Sequence, residues 1–541
     1  MINRPSRELS LLLLLWALAT ALDFGKAFHI DDTFHLLAAQ WIEHHPLSPM
    51  SGLVNWGQDP QPLHDFNQPP GYFYIIALTG HFLGYSEGVM HGLRAMFSLI
   101  AIANLYQLAR HLVKGQALFI TSLLVLCPAF LVNQGLMTDV PLLAMHLLGF
   151  RLLLVPGSGH KGVRYLWAAL AFSAGVFIKY TTLPVLLVFP LVLALRREGK
   201  YIALAAVPFV LLVLWGLWNV QEFGAVHLFG REGGDRSLRG IFVRTLGMFT
   251  ALGAVSPFVP AMAMGRFPAW QKWIRNAWLA ALSAFVILAA AVYSGNLSEA
   301  VSDEILRIAF TFNGVLFVAL ATLTIPWKDH PTQPDRWALI LWAGGLAAFL
   351  AFFAPMMATR HILLLLAPLL LILGPALGCA GAKARSLALA TTAVLGVLLT
   401  LSDREYAGFY RDMAPRIAQE MGGDGTIWSA GHWGWQWYTA QAGMRTYEQH
   451  GAQPVPGDVV VMPEEYDAQA IAGTVQAVLL RSYEAPPTAS TFFNVEQFAG
   501  MYTSSYGKLP WSLSRSHIKT IRVYRVVASG GSAIVQEPFG K

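Results

Sequence analysis

Two adjacent carboxylates stand just past the first long apolar run, in His29-Ile30-Asp31-Asp32-Thr33-Phe34-His35. A carboxylate held beside a hydroxyl can take its proton as the oxygen attacks. Neighbours at a helix start point in different directions, so only one of Asp31 and Asp32 is the candidate base; the alternative is that both are helix caps and headgroup-facing charges. A third acid, Asp139, lies in Met137-Thr138-Asp139-Val140-Pro141. It reads either as a cap, since Pro141 suits a first helical turn, or as an ionisable group whose place in lipid demands a partner or a function. Cations answer these acids: Lys179, the loop arginines Arg231, Arg236 and Arg239, and Arg360 beside His361. The ligand they fit is phosphate, because a guanidinium donates two parallel bonds to it; the alternative for each is solvation or, for Lys179, snorkelling to the interface. His44, His64 and Asp65 are weak candidates for a divalent metal, without a standard ligand spacing. No P-loop, dinucleotide fingerprint or Gly-x-Ser-x-Gly elbow occurs in a fitting context, so no nucleotide is expected as a direct reactant.

The elements that must position these residues are membrane spans. Of 541 residues, 55% are hydrophobic and 13% charged, against about 25% charged in soluble domains, and the mean hydropathy is +0.49. The formal net charge of +6 comes in short basic clusters between apolar runs, such as Arg196/Arg197/Lys200 and Arg266/Lys272/Arg275, which argues for orientation in a membrane rather than for nucleic acid. With those clusters inside, residues 28–70, Asp139, Lys179, 220–240, Arg360 and everything after about 402 fall outside. The N-terminal run also fits a cleaved leader, Arg4 and Arg7 preceding Leu9 to Leu22, but a retained first span is expected. About thirteen transmembrane helices follow, with the path of Gly71 to Tyr85 left open because it is short. Phe34, Leu37, Trp41 and Ile42 recur at helical spacing and predict a short helix lying on the membrane surface. After Leu401 the composition changes, and runs such as Asp458 to Met462 and Ile521 to Val526 read as strands of a soluble α/β domain over 402–541. Trp428, Trp433, Trp435, Trp437 and Tyr438 are dense there and read mainly as core. Cys127 and Cys379 indicate neither disulfide nor metal chemistry.

Taken together, the motifs resemble the polytopic GT-C glycosyltransferases of the protein O-mannosyltransferase and aminoarabinose transferase superfamily. Asp31-Asp32-Thr33-Phe34-His35 is similar to that family's acidic pair at the start of the first outer loop, and Gln68-Pro69-Pro70-Gly71 to the Lys-Pro-Pro-Leu element closing it. Thr138-Asp139, Ile178-Lys179 and Arg360-His361 with Pro368 resemble its later Asp, Thr-Lys-Gly-Pro and Arg-Tyr elements. The resemblance implies an all-α GT-C membrane domain over 1–401 and transfer of a sugar from a polyprenyl-phosphate-linked donor to an acceptor at the extracytoplasmic face, with inversion. It also implies Asp31 as base, Lys179 with loop arginines on the donor phosphate, and a bacterial inner membrane; His35 and Gln68 belong to the loop side of such a site. A multi-span transporter or flippase of lipid-linked glycans is the alternative. Two departures stand out: the family's Lys before Pro-Pro is Gln68 and the preceding acid is Asn67, which takes a positive charge from the neighbourhood of Asp31.

Overall fold

The computed structural model describes residues 4–113, 115–157, 159–231, 233–325, 333–423, 425–464, 469–488, 492–493, 501–502 and 508–529. Helices dominate up to Met421, and a five-stranded sheet follows. Among the described residues seven helices are long and apolar enough to cross a membrane, or eight if the pair Leu238–Ala254 and Val259–Arg266, bent by 87°, counts as one span. The chain is a multi-pass membrane protein. Three further apolar stretches form shorter helices, Ala117–Leu126, Tyr180–Leu195 and Gly71–Leu83. At about 1.5 Å per residue the thirteen residues of Gly71–Leu83 reach roughly 20 Å, short of a hydrocarbon core of about 30 Å.

The spans fall into two kinds. Thr359–Cys379 has 83% of its apolar window buried, whereas Pro268–Tyr293 has 11%. A helix apolar all round can serve as core or face lipid, and here the first is the centre of the bundle and the second its outer surface. Close contacts use glycine: a Cβ on Gly253 would lie 1.8 Å from the Phe310 carbonyl, and one on Gly314 1.9 Å from that of Phe249. The helices Leu238–Ala254 and Glu299–Thr324 therefore meet backbone to backbone, as small residues permit in lipid.

The helix after the acidic pair, Asp32–His44, departs from expectation. It buries Thr33, Phe34, His35, Leu36, Ala38, Ala39 and Ile42, too many sides for a helix lying on a lipid surface. It is enclosed by protein, with Phe34 edge-on to Trp56, Phe66 and Phe73. Neither aspartate makes a side-chain cap bond at its start.

The last long helix, Ala382–Met421, runs unbroken through residue 402. The strands beyond it order as Arg445–Thr446, Ile427–Ser429, Val459–Pro463, Thr520–Ser529 and Val475–Glu484. The first three are mutually parallel and the last two antiparallel, with Val460 registered against Trp428 on one side and Tyr524 on the other. Side chains alternate across a sheet: Val459, Val461, Ile521 and Val523 join the core of the membrane bundle, while Val460, Val526, Trp428 and Tyr447 form a small cluster on the opposite face. The dense aromatics are mostly core as expected, Trp428 and Trp435 being buried.

Candidate active site

A cavity of about 330 Å³ opens between the first loop, the turn after Lys161–Ile178, the 220–240 loop and the start of Thr359–Cys379; its wall includes Asp31, Gln68, Lys179, Arg231, Arg360 and His361. Asp31 and Asp32 diverge as their adjacency requires. Asp31 faces the cavity and accepts from Arg360 Nη1 at 2.7 Å. Asp32 is fully buried and turns inward, its Oδ2 accepting from the His29 amide at 3.3 Å; burial pushes its carboxyl up to about 7. Arg360 thus brings back the positive charge that Gln68 withdraws from Asp31. Gln68 instead meets His35, whose Nδ1 lies 2.9 Å from the Leu136 carbonyl and whose Nε2 lies 3.1 Å from Gln68 Oε1.

Charges alternate away from Asp31. Beyond Arg360 lies Asp139, with Nε and Oδ2 3.9 Å apart, and beyond Asp139 lies Lys179, whose Nζ is 2.9 Å from Oδ1. Asp139 is the first residue of its helix and makes no cap bond; it is the buried counter-charge between two cations. Lys179 leaves the end of Lys161–Ile178 in extended backbone, which carries the ammonium to the cavity wall while binding it to Asp139.

Arg231 is differently placed. Among the described residues no carboxylate lies within ion-pair distance of it. Its guanidinium sits 4.8 Å from the centre of the Tyr180 ring, and Nε donates to the Leu228 carbonyl at 3.3 Å. The ring is held by a satisfied chain of bonds: Trp215 Nε1 donates to the Tyr180 hydroxyl at 3.0 Å, that hydroxyl donates to His227 Nδ1 at 2.9 Å, and His227 Nε2 donates to the Phe66 carbonyl at 2.7 Å. These partners fix the neutral tautomer of His227. Arg244 ties the same loop to the opposite wall through the Asp235 and Ala351 carbonyls.

The other expected residues do not gather here. Arg236 and Arg239 are exposed and away from the cavity wall, so the donor-phosphate role expected of them lacks a geometric basis. His44 is exposed, and His64 stacks on Phe223 at 4.1 Å. Asp65 reaches the cavity with its Oδ1 3.8 Å from His64 Nδ1; among the described residues no three His, Cys, Asp or Glu side chains cluster as a metal site would require. Sequence reasoning missed Tyr180, His227 and Trp56, whose types carry no signal apart from their neighbours. It also missed a buried ionic cluster of Lys26, His29, Asp403 and Tyr502, although charges at span ends are a legible warning.

Residues 67–218 match the family model of dolichyl-phosphate-mannose-protein mannosyltransferases, a stretch that takes in Gln68, Asp139 and Lys179 and bears out the resemblance drawn from the motifs. No curated protein matches the chain in sequence. Among solved structures the chain is similar to the oligosaccharyltransferase AglB of Archaeoglobus fulgidus, in complex with an inhibitory peptide and a dolichol-phosphate, at 12% identity and TM-score 0.46, covering 84% of this chain and 66% of that one. It is similar also to ArnT of Cupriavidus metallidurans bound to undecaprenyl phosphate, at 14% and 0.39, covering 84% and 92%. Arabinofuranosyltransferase AftD from Mycobacteria follows at 13% and 0.43, with 96% and 40% covered. The chain spans about two thirds of the archaeal enzyme's length.

Proposed function

We propose that this protein transfers a sugar from a polyprenyl-phosphate carrier to a hydroxyl acceptor, with the cavity on the extracytoplasmic side of the membrane. The observation that carries the reading is the meeting of Asp31 with three cations, Arg360, Lys179 and Arg231, on the wall of one cavity. The acceptor oxygen attacks the anomeric carbon, the bond from that carbon to the phosphate oxygen breaks on the opposite face, and Asp31 takes the hydroxyl proton. The carrier leaves as a phosphate with one more negative charge than it brought. Arg231, which has no carboxylate partner among the described residues, is the first group to receive it. Charge stabilised by fixed cations in a water-poor site is where most rate enhancement is available. The arrangement adds a second step: once Asp31 is protonated it no longer attracts Arg360, whose charge becomes available to the departing phosphate.

The test is a radiolabelled polyprenyl-phosphate sugar supplied to the outer face of sealed right-side-out vesicles. Parent protein transfers label, and Asp31→Asn, which keeps size but not basicity, loses roughly 100- to 10,000-fold while its membrane insertion is unchanged. Transfer by Asp31→Asn at the parent rate, or transfer confined to inverted vesicles, defeats the reading.

A further inference from the structure

Ile30, the residue before Asp31, has φ of 52°. A β-branched side chain in this left-handed region crowds its own backbone and does not stay there unless neighbours hold it. The neighbours are on the C-terminal strand-containing domain. The Ile30 amide donates to the carbonyl of Trp433 at 3.0 Å, and two residues earlier the Phe28 amide donates to the Tyr438 hydroxyl at 2.7 Å. That hydroxyl in turn donates to Glu87 at 2.6 Å, on the first turn of the Glu87–Leu112 helix. Between the two bonds Gly434, at φ of 106°, lies flat against the loop: a Cβ there would be 2.7 Å from the Phe28 carbonyl oxygen and 2.8 Å from His29 Cα. A backbone-to-backbone fit this close needs the glycine on both counts, its φ and its missing side chain.

The same domain also grips the other side of the ion pair. Thr359, the residue before Arg360 and the first of its helix, donates through its amide at 3.3 Å and its hydroxyl at 2.7 Å to the carbonyl of Met501. His432 meets the Gly57 carbonyl at 2.8 Å, next to the cavity-wall residue Trp56. One folded unit therefore touches the chain immediately before Asp31 and immediately before Arg360.

We propose that the C-terminal domain is the positioning element of the site: the Trp433–Gly434 turn keeps Ile30 left-handed and so aims Asp31 at the cavity, with Gly434 the residue on which the fit depends. The proposal rests on Asp31 as the base. Without the turn Ile30 relaxes to negative φ, and the carboxylate after it rotates away from Arg360 and the acceptor.

The experiment compares two alanine substitutions in the full chain. Gly434→Ala places a methyl against Phe28 and His29. Gly443→Ala imposes a similar backbone penalty, at φ of 78°, but opens onto empty space. Gly434→Ala is expected to lower kcat roughly 100-fold, the scale of an ångström's misplacement, with donor KM near that of the parent, while Gly443→Ala behaves as the parent. Tyr438→Phe, which keeps the ring and removes the acceptor for the Phe28 amide, is expected to shift kcat in the same direction by less, and covers the case in which Gly434→Ala fails to fold. Hydrogen exchange supplies a readout independent of turnover: the Ile30 and Phe28 amides exchange faster in Gly434→Ala and are unchanged in Gly443→Ala. Equal protection in the two variants, or lost protection with an unaltered kcat, overturns the proposal. A parent that moves no sugar while Ile30 protection still depends on Gly434 defeats the donor reading and leaves the positioning geometry supported.

Discussion

Two buried ionic networks flank the Asp31-Asp32 pair, one on each side. On Asp31's side, Arg360 and Lys179 lie on a cavity wall that also carries Arg231, with the buried Asp139 between them. On Asp32's side, Lys26 pairs with Asp403 and bonds the Val132 carbonyl and the Tyr502 hydroxyl at 3.3 Å each, while His29 reaches Asp403 at 3.2 Å. Both set basic side chains against aspartates. The second network is enclosed, with Lys26, His29 and Asp403 each at most 1% exposed, and its central cation and carboxylate satisfy each other. The first opens on a cavity, where Arg360, Lys179 and Arg231 share the wall with Asp31 and Asp65, and Asp139 lies buried behind them. A buried ion pair by itself therefore marks neither a fold device nor a site; access to a cavity separates them.

The comparison breaks first on Asp403. Removing one partner of an enclosed pair leaves the other charge buried, at a cost of about 3 to 5 kcal/mol, so Asp403→Asn is expected to lower unfolding stability in detergent by that order; a loss under about 1 kcal/mol would mean that Lys26 finds water or another acceptor. The cavity network is sharper on function. Lys179→Ala gives up a charge-assisted bond of about 1.5 to 3 kcal/mol and frees Asp139 to draw Arg360 from Asp31, which slows transfer roughly 10- to 150-fold, with partial recovery in Lys179→Arg. If Lys179 acts through Asp139, the double variant with Asp139→Asn costs no more than the worse single one; additive losses would instead assign Lys179 to the phosphate independently.

Arg231→Ala is expected to raise donor KM roughly tenfold with a smaller loss of kcat, the loss of one charge-assisted contact; an unchanged KM would return the phosphate to Lys179 and Arg360. A pH-dependent test belongs to Asp32. Its folded carboxyl titrates near 7, above the usual 3.8, chiefly through burial. The folded state holds that proton more tightly than the unfolded chain, so its contribution to stability is complete below about pH 4 and is lost as pH rises through 7. Asp32→Asn should flatten this decline, whose slope is at most about 1.4 kcal/mol per pH unit; an undiminished decline in the variant would assign it to other groups.

Much of the site was legible because chemistry in lipid is sparse. A Lys or Asp at a span end has few reasons to be there, and Asp31, Asp139, Lys179 and Arg360 stood out on that ground alone. Their pairing did not. Asp31 and Arg360 are brought together by the bundle, and nothing near Gln68 signals that a charge missing from the loop returns from a helix so far along the chain. Arg231, Arg236 and Arg239 were equivalent in sequence; only the stacked Tyr180, itself fixed through Trp215 and His227, selects Arg231.

Composition determined that this chain spans a membrane many times and carries strands after its last long helix, since apolar length and alternation are local properties. Which span is core and which faces lipid could not be read, because Thr359–Cys379 and Pro268–Tyr293 are both apolar on every side and differ only in their neighbours. The direction of Asp31 was likewise beyond the sequence. It follows a left-handed Ile30, whose amide is bonded to Trp433 while Gly434 packs against Phe28 and His29, partners some four hundred residues later in the chain.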